Sequence, residues 1–391
     1  MDVAKICSDL VKIKSENPPG NTREIAEYIV SILDRFGIKS TIVEGLQGHC
    51  NVISDVQNKP LMFSGHIDVV PAINDGWIFN PYGGQINDTY VCGRGSSDMK
   101  GGCATIITAV ERAIDTFGEN PVSLSFVCDE ENDGKYGVKY LIKKQLIHPC
   151  DVLIAEPTPQ YSPTIGQKGL LRYNIDFNGK PGHSSTYPIN GDSAIIQALK
   201  FISWIDTLHK REYTQSPILD KIINQSILDM NEQNSGISDV FRHIMYNPGI
   251  IEGGERVNIV AQKCKLTMDM RLPWGCDCND ILNEINKNIP NSAKIQVTTK
   301  SNASLTDPNS DLVTHICNSI KEVYKVDPHP TVNWAASDSR CLNQAGFNAV
   351  EYGPGDVYNI HGLNEKVKID QLRSIENVYY NLIHSYYKNK K

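Results

Sequence analysis

Apolar residues recur along the chain with two different periods, and the alternation between them sets out the elements. Ile6, Leu10, Val11 and Ile13, then Ile25, Ile29, Val30 and Leu33, fall at helical spacing on either side of Pro18-Pro19-Gly20, which predicts two amphipathic helices with a break between them. Residues 41–43 and 51–53 read as short strands, and Pro60 leads into a longer apolar run that ends at His66. Residues 77–84 are rich in Asn, Pro and Gly and read as loop. Residues 103–117 return to helical spacing, 122–128 alternate as a strand, and 152–155 form another apolar strand that ends at Glu156. Strands of the buried type, separated by helical pattern, predict an α/β sheet.

At about Gly166 the pattern changes. Residues 170–177 read as a strand, 194–208 as a helix, 249–252 and 263–271 as strands, 281–289 as a helix and 294–299 as a strand. This βαββαβ order predicts an α+β ferredoxin-like domain inserted into the first. From Asp311 the helix-rich α/β pattern resumes and runs to a lysine-rich tail. The expected division is therefore a discontinuous domain of residues 1–167 and 304–391, with residues 168–303 as the insert.

Composition narrows the function. The chain has 391 residues, 40% hydrophobic and 21% charged, as in soluble globular proteins, and it is long for a single core. A net charge of -7, without any run of five or six basic residues, argues against nucleic acid or an anionic membrane as the partner. Nothing approaches the ~18 apolar residues of a membrane span. The first residues, Met1-Asp2-Val3-Ala4-Lys5, carry an acid and do not resemble a signal peptide, so a cytoplasmic location is expected. Eleven cysteines without a C-x-x-C pair read as reduced, mostly buried thiols. Cys276 and Cys278 form the one close pair.

The chemistry gathers at the ends of the strands. His66 and Asp68 leave the central strand one strand period apart, on one face. His66 can give one ring nitrogen to a metal, and a carboxylate on the other nitrogen, with Asp68 as the candidate, would fix its tautomer. The glycine-rich stretch Gly93-Arg94-Gly95-Ser96-Ser97-Asp98 enters a helix. A phosphate-binding reading fails there, because a carboxylate stands where glycine is needed and would repel the ligand. Asp129-Glu130-Glu131 crowds carboxylates at a strand end, which is costly unless a cation or solvent takes the charge. Taken singly, these residues could be an exposed strand end, a helix N-cap and a solvated turn. Their coincidence at equivalent ends of successive elements points to ligands held beyond the carboxyl ends of a sheet.

The motifs resemble, over nearly the whole chain, the co-catalytic zinc metallopeptidases and deacylases that include succinyl-diaminopimelate desuccinylase, acetylornithine deacetylase, aminoacylase and carboxypeptidase G. Ser64-Gly65-His66-Ile67-Asp68-Val69-Val70-Pro71 is similar to that family's first metal motif, and Gly93 to Gly102 to its second. The resemblance implies a zinc-peptidase-like catalytic domain holding two Zn2+ ions, with Co2+ or Mn2+ as possible substitutes. His66 and Glu156 would bind one ion, Glu131 and His361 the other, and Asp98 would bridge. Asp68 would support the site and Glu130 would be the catalytic carboxylate. The insert would be a lid and dimerisation domain, which makes a homodimer expected, and its His183 would steady the oxyanion. Asn258, Arg256, Arg271 and Arg340 would contact substrate. Ala335-Ala336 departs from the Gly-Thr type pair common there.

The implied chemistry has its own physical footing. Two metal ions can lower the pKa of a water and polarise a carbonyl, and bridging them calls for a two-oxygen ligand such as Asp98. A carboxylate near the metals but not bound to them can carry a proton from water to the leaving amine. The expected function is a dinuclear-zinc amidohydrolase acting on a small N-acyl amino acid, most like the desuccinylase or the acetylornithine deacetylase. A dipeptidase or carboxypeptidase, and a catalytically silent binding protein on the same fold, are the alternatives. An intact Glu130 argues against the silent protein.

Overall fold

Leu61–His66 lies between two parallel neighbours, Ser123–Val127 and Asp151–Ile154, with His66 opposite Val127 and Ser64 opposite Ile154. Every residue of the first two strands is buried, as in a sheet covered on both faces, even where Ser123 and Ser125 alternate with Leu124 and Phe126. Asn348–Glu351 continues the parallel set beyond Asp151–Ile154. Parallel pairing brings the carboxyl ends of all four strands to one edge of the sheet. On the other flank, His49–Ser54 and Ser40–Leu46 follow in antiparallel order.

These elements come from a computed structural model that describes residues 1–55, 59–72, 75–213, 215–230 and 236–388. The described chain divides into two compact units, one of Met1–Gly166, Leu305–Thr331 and Ser337–Lys391, the other of Gln167–Ser304 and Val332–Ala336. The end of the expected lysine-rich tail, past residue 388, lies outside the described residues.

In the first unit, helices Val3–Lys12 and Arg23–Arg35 stand on either side of the proline break, and Asp2 caps the first through the Ala4 amide. Helix Ile369–Lys388 packs on Lys100–Phe117 and on Asp311–Tyr324. The start of Lys100–Phe117 is buried against the sheet, and a Cβ at Gly102 would stand 2.2 Å from the Ala155 carbonyl oxygen. Only glycine permits that approach. A small sheet pairs Tyr90–Cys92 with Lys366–Lys368, Cys92 opposite Lys366, and so carries the glycine-rich loop alongside the segment that follows His361.

The second unit is a four-stranded antiparallel sheet in the order Met245–Gly253, Lys263–Leu272, Gly169–Asn178, Lys294–Ser301. This is the strand order of a ferredoxin-like βαββαβ unit. Alternate residues Cys264, Leu266, Met268 and Met270 meet Leu171, Tyr173, Ile175 and Phe177 in a core closed by Phe201 and Ile205 of helix Ala194–His209 and Ile281 and Ile285 of helix Cys278–Asn288. Two helices, Pro217–Met230 and Ile237–Arg242, stand where no element was predicted. No helix among the described residues is long and apolar enough to cross a membrane, and all eleven cysteines are free.

Candidate active site

The site lies beyond the carboxyl ends of the parallel strands in the first unit. His66 is the last residue of its strand and is 1% exposed. Its Nε2 stands 2.9 Å from Asp98 Oδ1 and 3.6 Å from Glu156 Oε1. The other oxygen of the same aspartate, Oδ2, is 3.1 Å from Nε2 of His361, which in turn is 3.0 Å from Glu131 Oε2. Two groups able to hold a metal ion result, His66–Asp98–Glu156 and Asp98–Glu131–His361, the ligand atoms within each lying no more than 4.8 Å apart. Asp98 belongs to both and turns one oxygen to each histidine.

The electrostatics favour a cation. Burial pushes Glu130 and Glu156 well above the usual carboxylate range; Glu156 adds to Glu130, and Glu131 to both, against the pull of His66. Burial would raise Asp98 as well, but hydrogen bonds from His361 and His66 hold it far below its ordinary value. His361 is pushed up to about 10 by its contacts with Asp98 and Glu131. Burial lowers His66, but Glu156 and Asp98 outweigh it and raise it well above its ordinary value, so the carboxylates draw protons toward both imidazoles. A set of imidazoles and carboxylates suits a divalent ion such as zinc, which would release those protons and supply the missing charge. The residues present therefore fit a metal centre.

The glycine-rich loop owes its path to Glu365, which the sequence reading did not single out. This carboxylate is 1% exposed. Its Oε1 accepts hydrogen bonds from the Ser97 and Asp98 amides at 2.9 and 3.1 Å, and its Oε2 lies 2.6 Å from Nη1 of the buried Arg94. The chain reaches the helix through a cis Asp98–Met99 bond, and Met99, not Asp98, occupies the N-cap position of Lys100–Phe117. Glu365 follows His361 by four residues, a spacing that signals nothing until the loop is known to fold against it.

Asp68 is used differently from the expectation. His66 Nδ1 is 2.9 Å from the Asp68 carbonyl oxygen and 3.6 Å from its carboxylate, so the backbone oxygen takes the ring N–H. The carboxylate, 0% exposed, instead accepts from the backbone amides of Glu130 and Glu131, both at 3.2 Å. It thereby holds the turn that carries both glutamates. The amide of Asn17 also reaches it, at 2.9 Å.

The remaining candidates divide between the units. Arg340 is buried in the first, on helix Asp338–Gln344. In the second, His183 is exposed and pairs in an isolated bridge with Ile259, while the Ser184 amide donates to the Asn258 carbonyl. The Ser185 amide donates to His183 Nδ1 at 3.3 Å, and the Ser185 hydroxyl lies 2.8 Å from the same nitrogen. Arg256 lines a cavity of about 560 Å³ with Ser184, Tyr187, Ile195 and Val260. Arg271 donates to Asp269, which also takes Arg172.

The two acid-histidine groups, running from the buried His66 to the exposed His361, mark the protein as a hydrolase of amide bonds that uses metal. The chain belongs to peptidase family M20/M25/M40, whose pattern matches residues 62–385. Among its relatives, a protein of Helicobacter hepaticus named succinyl-diaminopimelate desuccinylase is 29% identical over 343 residues, covering 84% of this chain and 80% of the relative. A protein of the same name from Sulfurimonas denitrificans is 27% identical over 396 residues, covering 98% and 99%. Among solved structures, an M20 family metallo-carboxypeptidase from Sulfolobus solfataricus superposes with a TM-score of 0.81 at 20% identity over 99% of both chains. A Bacillus subtilis protein described as a dinuclear metal-binding peptidase from the M20 family gives 0.68 at 12% identity, covering 97% and 96%. At those identities the structural likeness speaks for the fold alone.

Proposed function

We propose that the protein is a dinuclear-zinc deacylase that hydrolyses the amide of a small N-acyl amino acid, with N-succinyl-diaminopimelate as its substrate. The observation that carries the reading is Asp98, shared by two acid-histidine groups with Glu130 alongside; the names of the relatives support the substrate. His66, Asp98 and Glu156 would hold one ion, and Asp98, Glu131 and His361 the other. Two zinc ions there would polarise the scissile carbonyl and lower the pKa of water toward neutrality.

Glu130 takes the proton from the attacking water and returns it to the leaving amine. Burial raises its carboxyl above the ordinary range, with Glu156, Asp338 and Glu131 adding to it against His66, and the step calls for a group that both accepts and releases the proton. Asp68 keeps Glu130 and Glu131 in register through their backbone amides. His183 donates to the oxyanion, and Asn258, Arg256, Arg271 and Arg340 serve the substrate's carboxylates. Residues 1–167 with 304–391 form the catalytic domain, and 168–303 the lid. The strand Met245–Gly253, an edge of its sheet with Ile250 and Ile251 exposed, supports pairing between two copies. Eleven free thiols support a cytoplasmic setting.

Primary-amine release by the zinc-loaded protein, with N-succinyl-diaminopimelate, N-acetylornithine and a set of dipeptides run in parallel, tests the substrate. Preference for the succinyl compound is the expected result. Turnover of dipeptides alone would make the protein a peptidase, and no turnover with two zinc ions bound would overturn the catalytic reading.

A further inference from the structure

Three segments distant in sequence meet behind the Glu130–Glu131 turn. Residues 15–17 run along residues 67–69: the Ser15 hydroxyl donates to the Ile67 carbonyl at 2.6 Å, and the Asn17 amide N–H donates to the Val69 carbonyl at 2.8 Å. This fixes the Asn17 side chain, 3% exposed, between two carboxylates. Its Nδ2 lies 2.9 Å from Asp68 Oδ2 and 3.0 Å from Asp129 Oδ1. Both acids are fully enclosed, at 0% and 1% exposure.

Each acid grips the same turn. Asp68 accepts from the Glu130 and Glu131 amides. Asp129 precedes them in a left-handed conformation, φ +66°, and its Oδ2 accepts from the Tyr136 amide at 3.0 Å. Its carbonyl takes the Gly134 amide at 2.6 Å. Joining two buried carboxylates without adding charge takes a neutral group with two donors, and the primary amide of Asn17 supplies both N–H bonds from one nitrogen. A shorter hydroxyl has one donor, an aspartate has none when ionised, and an alanine would leave buried oxygens short of a partner.

We propose that Asn17 is a positioning residue for the hydrolysis, acting through Asp68 and Asp129 to hold the backbone of the Glu130–Glu131 turn. The assignment rests on Glu130 as the proton-transfer group proposed above. It gives the first helical pair a part in the chemistry that its amphipathic pattern does not suggest. The Asn17 amide is bonded to Asp68 and Asp129 and not to the side chains of the proposed metal ligands, so at saturating zinc its loss should act on the proton-transfer step more than on substrate binding.

The experiment compares the native zinc-loaded protein with Asn17→Ala. The expected result at saturating zinc is a kcat lower by about 10–100-fold, the usual cost of an outer partner, with KM within about threefold. Backbone amide exchange in residues 129–136 should quicken by about tenfold or more while residues 61–66 stay as slow as in the native protein. Unchanged exchange in 129–136, an unchanged kcat, or a loss of activity that saturating zinc fully restores would each overturn the proposal. Failure of the native protein to hydrolyse any acyl amino acid would sink the substrate reading instead, and the exchange comparison would still decide the role of Asn17. Should Asn17→Ala not fold, Asn17→Ser, which keeps one donor, carries the same comparison with a smaller expected loss.

Discussion

Replacing Glu365 with glutamine tests how the metal-bridging loop is held. The substitution is nearly isosteric, and its effect can be followed atom by atom. Oε1, which takes the Ser97 and Asp98 amides, remains an oxygen. Oε2, which stands 2.6 Å from Nη1 of Arg94, becomes an NH2 facing a guanidinium, donor against donor. Turning the amide over would restore the Arg94 contact but set the NH2 against two backbone N–H groups. Either way a buried charge or two buried donors lose their partner, since Arg94 is 3% and Glu365 1% exposed. Breaking a buried pair from one side costs about 3–5 kcal/mol. At roughly 2 °C per kcal/mol for a body of this size, the thermal midpoint of the zinc-loaded protein should fall by at least about 6 °C. Because Asp98 would then sit on a loosened backbone, zinc affinity should fall by about 10–100-fold. Scanning calorimetry and a competitive chelator titration read the two effects. A midpoint within about 1 °C of native, with zinc affinity unaltered, would refute the reasoning.

Two other outcomes follow from the same geometry. Glu130→Gln should keep its zinc and lose kcat by about 10²–10⁴-fold; retention of turnover would remove Glu130 from the proton path. Burial pushes Asp338 up to about 7, with Asp68 and Asp129 adding to it against His66 and Lys139. A carboxyl whose folded pKa is raised contributes stability in full below its unfolded value, near 4, and loses that contribution as pH rises through the folded one. In chelated protein, Asp338→Asn should therefore gain on native between about pH 4 and 7, by on the order of 4 kcal/mol, and hold that gain above. Urea unfolding at several pH values measures it, and a difference that does not change with pH would count against the burial argument.

The site was legible where an apolar strand runs straight into its ligand. His66, Glu130, Glu131 and Glu156 each follow such a run, and the parallel pairing of Leu61–His66 with Ser123–Val127 and Asp151–Ile154 brings them to one edge. Glu365 and Asn17 were not legible, because neither sits in a pattern. Their importance arises from partners 267 and 51 residues away, and a buried carboxylate in a loop looks like any surface acid until its donors are known. Asp68 shows a subtler limit: its proximity to His66 was readable, but not that its own carbonyl would take the ring N–H and free the carboxylate for the turn. The predicted elements do not include helices Pro217–Met230 and Ile237–Arg242, although Leu219, Ile222, Ile223 and Ser226 fall at helical spacing and are buried, and Pro217 opens the first of them.

The central claim is that Asp98 joins two metal sites into one centre. Zinc bound per chain, measured by elemental analysis after equilibrium dialysis at a fixed free zinc concentration, tests it directly in the native protein and in Asp98→Asn. The account predicts two ions per chain in the native protein and less than one in the variant, because both groups lose a charged ligand at once. One ion or none in the native protein, or two retained by the variant, would contradict it.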